Sequence, residues 1–351
     1  MLKPLTCWLA ISVAMAATVE ARANDSSAEL SAGGLALTKN DAIELRAEDL
    51  SISSKQVRVN YRFFNTTSAP VQIVVAFPLP DVTYEGIDDV IAIPEASAPE
   101  NFLGFATTVN GQPVVARVEQ KVFAKDVERT NELRELGVPL APYLERLRDR
   151  LDALPLESRE KLVELGLAVK ETEYEGEKPI VHLNPTWTLK TTYYWDQVFP
   201  PGETKIEHRY APSVGVTLGS IVGSEFVPGL LRKADPDEGD RSEIDEFNEH
   251  VRTYCLDDGF IESARRIQKA LPQEGTLVER RISYILKTAA NWSGPIGNFH
   301  LVVDKQYPDN LVSFCGQGVR KIGPTTFEMT KTNFTPAEDL SILILTTHVE
   351  D

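Results

Sequence analysis

Apolar side chains recur at every second position through much of this chain, and that period restricts its fold more than any other feature. Val57, Val59, Tyr61 and Phe63 alternate with polar residues, Asn65-Thr66-Thr67-Ser68 supplies a turn, and Val71, Ile73, Val75 and Phe77 resume the alternation. Successive strand side chains point to opposite faces, so this period between turn residues predicts half-buried antiparallel strands. Upstream, Ile43-Glu44-Leu45 and Leu50-Ser51-Ile52 predict two shorter strands flanking Ala47-Glu48-Asp49. Phe105, Thr107 and Val109 run into Asn110-Gly111, and Val114, Ala116 and Val118 come back. Asn-Gly between alternating runs is a strong hairpin signal, because both turn positions of the favoured two-residue loop need positive φ.

The period changes near Ala124. The stretch 124–136 is charged and helix-favouring and stops at Gly137; Pro142 opens a second helix, and 157–165 forms a third that stops at Gly166. Leu144, Leu147, Leu151 and Leu154 fall on one stripe of the second helix, with Glu145, Arg146, Arg148, Asp149 and Arg150 on the remaining face. Such a segment either covers a sandwich face or serves as a partner-binding arm. The leucine stripe favours the cover, since it must be buried against something.

Alternation returns with Trp187, Leu189, Thr191 and Tyr193, and Pro200-Pro201-Gly202-Glu203 turns the chain back. The acidic, turn-rich stretch 233–248 reads as a linker, followed by a helix near 259–271 with Phe260, Ala264 and Ile267 on its buried side. Strand patterns then occupy the last hundred residues. The expected fold class is mostly β (α+β): antiparallel β-sandwich domains with an inserted helical segment. Its expected organisation is a domain over 24–232 with helices at about 124–168, the linker 233–248, and a smaller helix-plus-β domain over 249–351.

The N-terminus carries an export signal. Lys3 precedes an apolar stretch from Leu5 to Val19, and Ala21-Arg22-Ala23 forms a small-x-small cleavage site that places the mature start at Asn24. The alternative, an uncleaved anchor, needs about 20 apolar residues. This core is shorter and runs at once into Glu20 and Arg22. The expected location is periplasmic or secreted, with no transmembrane span in the mature chain. With 36 basic and 52 acidic residues the formal charge is −16, and removing 1–23 makes it one unit more acidic. That surplus excludes nucleic acid as a partner, because phosphates need a basic face. Cys7 leaves with the signal, so Cys255 and Cys315 remain as a disulfide or as two buried thiols; an oxidising compartment favours the disulfide.

No catalytic, cofactor or metal motif stands out. His182, His208, His250, His300 and His348 form no i,i+2 or i,i+4 pair. No Gly-x-Ser-x-Gly elbow is present, and Gly316-Gln317-Gly318 is too short for a phosphate loop. The acidic pairs Asp88-Asp89 and Asp257-Asp258 lack the spacing of a calcium loop. The densest aromatic cluster is Trp187, Tyr193, Tyr194 and Trp195. Exposed, it offers a binding surface for sugar rings or a protein; inside a sandwich, it is core with one capping tyrosine, and the core reading is favoured.

The segments 24–35, 43–53 (Ile-Glu-Leu-Arg-Ala-Glu-Asp-Leu-Ser-Ile-Ser) and 57–65 (Val-Arg-Val-Asn-Tyr-Arg-Phe-Phe-Asn) resemble domain-of-unknown-function family 4424, an exported bacterial family. The likeness continues through Phe77-Pro-Leu-Pro-Asp81, Tyr254-Cys-Leu-Asp257 and 284–292. It implies a bacterial, secreted or periplasmic protein and supplies no catalytic residues. A second, partial likeness from Tyr61 to about Gly137 is to the VIT β-sandwich module. It rests on Phe64-Asn65, Phe77-Pro-Leu-Pro80, Val109-Asn-Gly111 and Val118-Glu-Gln-Lys-Val-Phe-Ala124.

The expected function is non-catalytic binding of a protein or glycan in the cell envelope, with no cofactor. The alternative is an extracytoplasmic hydrolase of cell-wall or sugar substrates with a carboxylate pair. A cleft holding two carboxyl groups beside an exposed Trp or Tyr separates the second from the first.

Overall fold

A computed structural model describes residues 26–31, 34–84, 89–144, 146–233, 235, 237–272 and 275–348. The expected signal peptide 1–23, the mature start at Asn24, Asp88 and Glu145 lie outside the described residues.

In chain order the first half contains β1 (Ser26–Ser31), β2 (Gly34–Thr38), β3 (Ile43–Ile52), β4 (Val57–Asn65), β5 (Val71–Pro78), β6 (Val82–Thr83), β7 (Asp89–Ala92), β8 (Ala106–Val109), β9 (Gln112–Val114), β10 (Arg117–Ala124) and β11 (Val127–Glu128). Three short helices follow, α1 (Thr130–Glu135), α2 (Leu147–Asp152) and α3 (Leu156–Glu164), then β12 (Ala168–Glu175), β13 (Lys178–Pro185), β14 (Thr188–Phe199), β15 (Gly202–Tyr210) and β16 (Val214–Leu218). The remainder is α4 (Val227–Leu230), α5 (Glu238–Thr253), α6 (Asp258–Ala270), β17 (Val278–Tyr284), a 3-10 turn (Lys287–Asn291), β18 (Ile296–Asp304), β19 (Leu311–Phe314), β20 (Arg320–Lys321), β21 (Thr326–Phe334) and β22 (Leu340–Thr346). The fold is mostly β with helices, as its pattern predicts.

Two large sheets and a smaller one enclose a common core. The first has the order β11-β10-β14-β5-β1-β2, with β6 also on β14; the second runs β20-β21-β18-β3-β4-β15-β8-β9; the third runs β19-β22-β17-β16-β7. Inward rings interlock between the sheets. Phe63 on β4 packs edge-on to Phe199 on β14 at 5.6 Å between centroids, and Phe77 on β5 lies 4.9 Å from His208 on β15. The third sheet joins through Tyr284, whose hydroxyl lies 2.9 Å from that of Tyr61. A second core lies on the outer side of this third sheet, where Phe247, Ile261 and Ala264 of α5 and α6 pack with Leu343 and Leu345. Because β22 is buried on both faces, with Ile342 and Ile344 in the main core, its sequence Leu-Ser-Ile-Leu-Ile-Leu-Thr is a nearly continuous apolar run.

Several expectations need correction. The two short strands at 43–45 and 50–52 are one strand, β3, interrupted by a bulge between Leu45 and Ala47. The bulge shifts the alternation by one residue, which is why the pattern reads as two pieces. Gly297 of β18 sits against it, since a Cβ there would lie 2.6 Å from Arg46 O. Strands of the expected domains 24–232 and 249–351 share sheets: β18 pairs with β3, and β17 pairs with β16. The β18–β3 pair is parallel. Both strands start from one place, where Asn40 N donates to Asn291 O and Ser293 N to Ile43 O, so they leave it in the same direction. The expected linker 233–248 is largely α5, opened by an Asp237–Asp240 capping box. Capping explains what looked like turn chemistry.

The helical insertion is shorter in its helices and longer in its chain. Leu133, Leu147, Leu151 and Leu162 are buried in the main core, so α1–α3 cover it. The insertion continues as the hairpin β12–β13, whose strands pair with each other alone among the described residues. Most of its side chains face solvent, and without a buried face it has no period-two signature.

Candidate functional site

Three of the four aromatic candidates belong to the core. Trp187, Tyr193 and Trp195 are buried, and each polar tip is satisfied. Trp187 Nε1 donates to Leu140 O at 2.8 Å, and the Tyr193 hydroxyl lies 3.0 Å from Glu100 O and from Asn101 Oδ1. Trp195 Nε1 donates to Gln197 Oε1 at 3.3 Å. Burial pushes the Tyr193 phenol well above its usual value. Of the four aromatic candidates, Tyr194 alone is not buried, on the face of β14 opposite Tyr193 and Trp195. Its ring is half-exposed, and the guanidinium of Arg117 lies 4.6 Å from its centroid.

Cys255 and Cys315 form a disulfide with 5.0 Å between Cα atoms, and both residues are exposed. The bond fastens the end of α5 to the end of β19, beside the hydrogen bond from Ser313 Oγ to Tyr254 O at 2.8 Å. Asp257, half of a candidate calcium pair, instead caps α6 by accepting from Phe260 N at 2.7 Å. No cluster of three His, Cys, Asp or Glu side chains among the described residues is arranged to hold a metal.

One buried polar network joins a helix to the third sheet. Glu279 is buried and accepts from Ser220 Oγ at 2.7 Å, lies 3.0 Å from His250 Nε2 and 3.7 Å from Arg281 Nη1. It thereby ties α5 to β17. Burial of His250 opposes its protonation, but the Glu279 carboxylate and Glu246 O outweigh burial and raise its pKa above 6.5. Serine and histidine both bond the carboxylate instead of each other, so this is not a nucleophile–base relay.

Tyr194 leads to the candidate site. A cleft of ≈ 240 Å³ runs along residues 118–121 of β10 and is walled by Glu128, Thr130, Arg134 and Tyr194. β10 pairs with β14 along residues 117–123, but on its other side β11 reaches only Phe123 and Ala124. Val122 shows which backbone groups face that side: its O accepts from Arg129 N at 2.8 Å, and its N donates to Thr130 Oγ1 at 3.0 Å. Strand geometry repeats every two residues. The N–H and C=O groups of Val118 and Gln120 therefore also point away from β14, and they have no backbone partner among the described residues. They open into the cleft.

The charges around this edge are mostly spent. Glu119 accepts from Leu35 N at 2.8 Å and lies 3.6 Å from Lys121 Nζ. Arg117 pairs with Asp196 at 2.8 Å, and Glu128 accepts from Thr130 Oγ1 at 3.0 Å. The exposed Arg134 guanidinium has no ion-pair partner among the described residues. Sequence reading found Tyr194 but missed Val118, Gln120 and Arg134. The missed signal is the two-residue length of β11 after the turn Lys125-Asp126, whose φ angles of 49° and 62° match the Asn-Gly geometry without a glycine.

A family model described as a domain of unknown function (DUF4424) matches residues 23–343, in agreement with the resemblance carried by the strands from Ile43 onward. No curated protein matches the chain. Among solved structures, a protein from Legionella pneumophila subsp. pneumophila str. Philadelphia 1, described provisionally as nutrient binding, is 15% identical with a TM-score of 0.43. That match covers 92% of this chain and 70% of the other.

Proposed function

We propose that this chain, which belongs to the DUF4424 family of domains of unknown function, is a non-catalytic extracytoplasmic protein that binds a polar partner, protein or glycan, in the cleft beside β10. One observation carries the proposal: an unpaired stretch of sheet edge and a half-exposed tyrosine meet in a single cleft. Unpaired edges invite strand pairing or hydrogen-bonding ligands, and folded proteins usually cover them. Location outside the cytoplasm is supported by the signal-like N-terminus and by an exposed disulfide. No helix among the described residues is long and apolar enough to cross a membrane.

Titration of the mature chain with soluble envelope glycans and with a peptide library tests the reading. Saturable binding that Tyr194→Asp abolishes and Tyr174→Asp, on the β12–β13 hairpin and outside the cleft lining, leaves intact supports it. Binding indifferent to Tyr194, or none at all, overturns it.

A second reading has one observation in its favour, since the same cleft holds two carboxylates, Glu119 and Glu128, beside Tyr194. A glycosidase acid needs a desolvated carboxyl, whereas Glu128 is exposed and Glu119 is paired with Lys121. Release of reducing ends from envelope polysaccharide, lost in Glu119→Gln and Glu128→Gln, would replace binding with hydrolysis.

A further inference from the structure

Resting on that reading, we infer that the cleft's occupant is an extended peptide that adds as a strand to the open edge of β10, with an acidic side chain reaching Arg134. Val118 and Gln120 present N–H, C=O, N–H and C=O groups in line along one edge, with about 7 Å between equivalent groups two residues apart. Such a repeat matches the backbone of an incoming strand, which satisfies all four groups at once. A sugar has no such fixed alternation of donors and acceptors. The chain already closes the edge this way next door: Arg129 N and Thr130 Oγ1 satisfy Val122, and β11 pairs with Phe123 and Ala124. The peptide would continue that line where β11 stops. Lys121, Arg117 and Lys190 are each engaged by carboxylates, at 3.6, 2.8 and 3.1 Å. Among the described residues that line the cleft, Arg134 is the cation left for a ligand, and a guanidinium pairs best with a carboxylate.

Val118→Pro tests the strand mode directly. The Val118 N–H faces away from β14, so proline there deletes an edge donor and no ladder bond, the position at which sheets tolerate proline. A displayed library of seven-residue peptides selected on the mature wild-type chain supplies the probe. Expected are enriched peptides with alternating β-branched residues and an Asp or Glu, weakened about tenfold by Val118→Pro and about tenfold by Arg134→Gln. Amide exchange at Val118 and Gln120 should slow when the peptide is bound. Arg134→Gln is a surface change and keeps the test open if the proline variant does not fold. Peptides that bind the Val118→Pro and wild-type chains equally, with exchange at Val118 and Gln120 unchanged, overturn the strand mode. Selection of glycans but no peptides overturns the peptide and leaves the cleft as a binding site. Failure of both ligand classes removes the cleft reading itself.

Discussion

Cys255 offers the sharpest test of how the helices are fastened to the third sheet. It follows Tyr254, the C-cap of α5, and its φ is +51°. The Leu256 N–H bonds Val251 O at 3.1 Å, so the helix ends in a Schellman turn with cysteine where glycine is usual. A side chain in this left-handed position costs about 1–2 kcal/mol. The disulfide to Cys315, 60 residues away, offsets that cost. Closing a loop of that length contributes about 4 kcal/mol in the chain-entropy treatment, as an upper figure. Replacing both cysteines by serine should therefore remove up to about 4 kcal/mol. Cys255→Gly with Cys315→Ser should be the more stable pair by about 1 kcal/mol, because glycine fits the turn and its greater freedom when unfolded offsets only part of the gain. Urea midpoints of the two double variants and the wild type, without reductant, give the three values. A serine pair as stable as the glycine pair would refute the backbone reasoning. A wild type no more stable than either would refute the tether.

Leu147→Asp should destabilise the chain by about 3 kcal/mol, since it places an unpaired charge in the main core; an unchanged urea midpoint would return α2 to the role of a free arm. His250 is bound more tightly when protonated, so its contribution should be complete below its ordinary pKa of 6.5 and fade as pH rises through the raised folded value. A urea midpoint that falls above pH 6.5, with the fall flattened in His250→Gln, is expected; equal slopes in both proteins would contradict it. Gly297→Ala should cost several kcal/mol, because its Cβ would meet Arg46 O at 2.6 Å and backbone cannot yield as a side chain does. A melting temperature unchanged by that variant would remove the β3 bulge as a constraint.

Local chemistry was legible where a strand has one wet face and a defined turn. β4, β5, β14 and β15 fall where alternation places them, and Asn110-Gly111 forms the expected hairpin between Val109 and Gln112, but its return strand ends at Val114 and Val118 belongs instead to β10, paired with β14. What sequence could not convey is pairing across long separations. Nothing local to Ile296–Asp304 announces that it lies beside Ile43–Ile52 or runs parallel to it. The aromatic cluster shows the same limit at the site. Alternation divides Tyr193 and Trp195 from Tyr194, but only the packed sheets decide which side is core. The open edge was hidden more deeply, because Val118 and Gln120 are defined by a partner strand that ends early, a property of Val127–Glu128 rather than of the residues themselves.

Amide hydrogen exchange of the free protein, read residue by residue along β10, tests the open edge most directly. Glu119 and Lys121 face β14 in the ladder and should exchange slowly, as should Val122, whose N–H is held by Thr130 Oγ1. Val118 and Gln120 should exchange much faster than these neighbours. Alternating fast and slow amides over 118–121, with Val122 slow as well, are the predicted result. Uniform protection across all five would mean that the edge is already paired, and would contradict the binding site built on it.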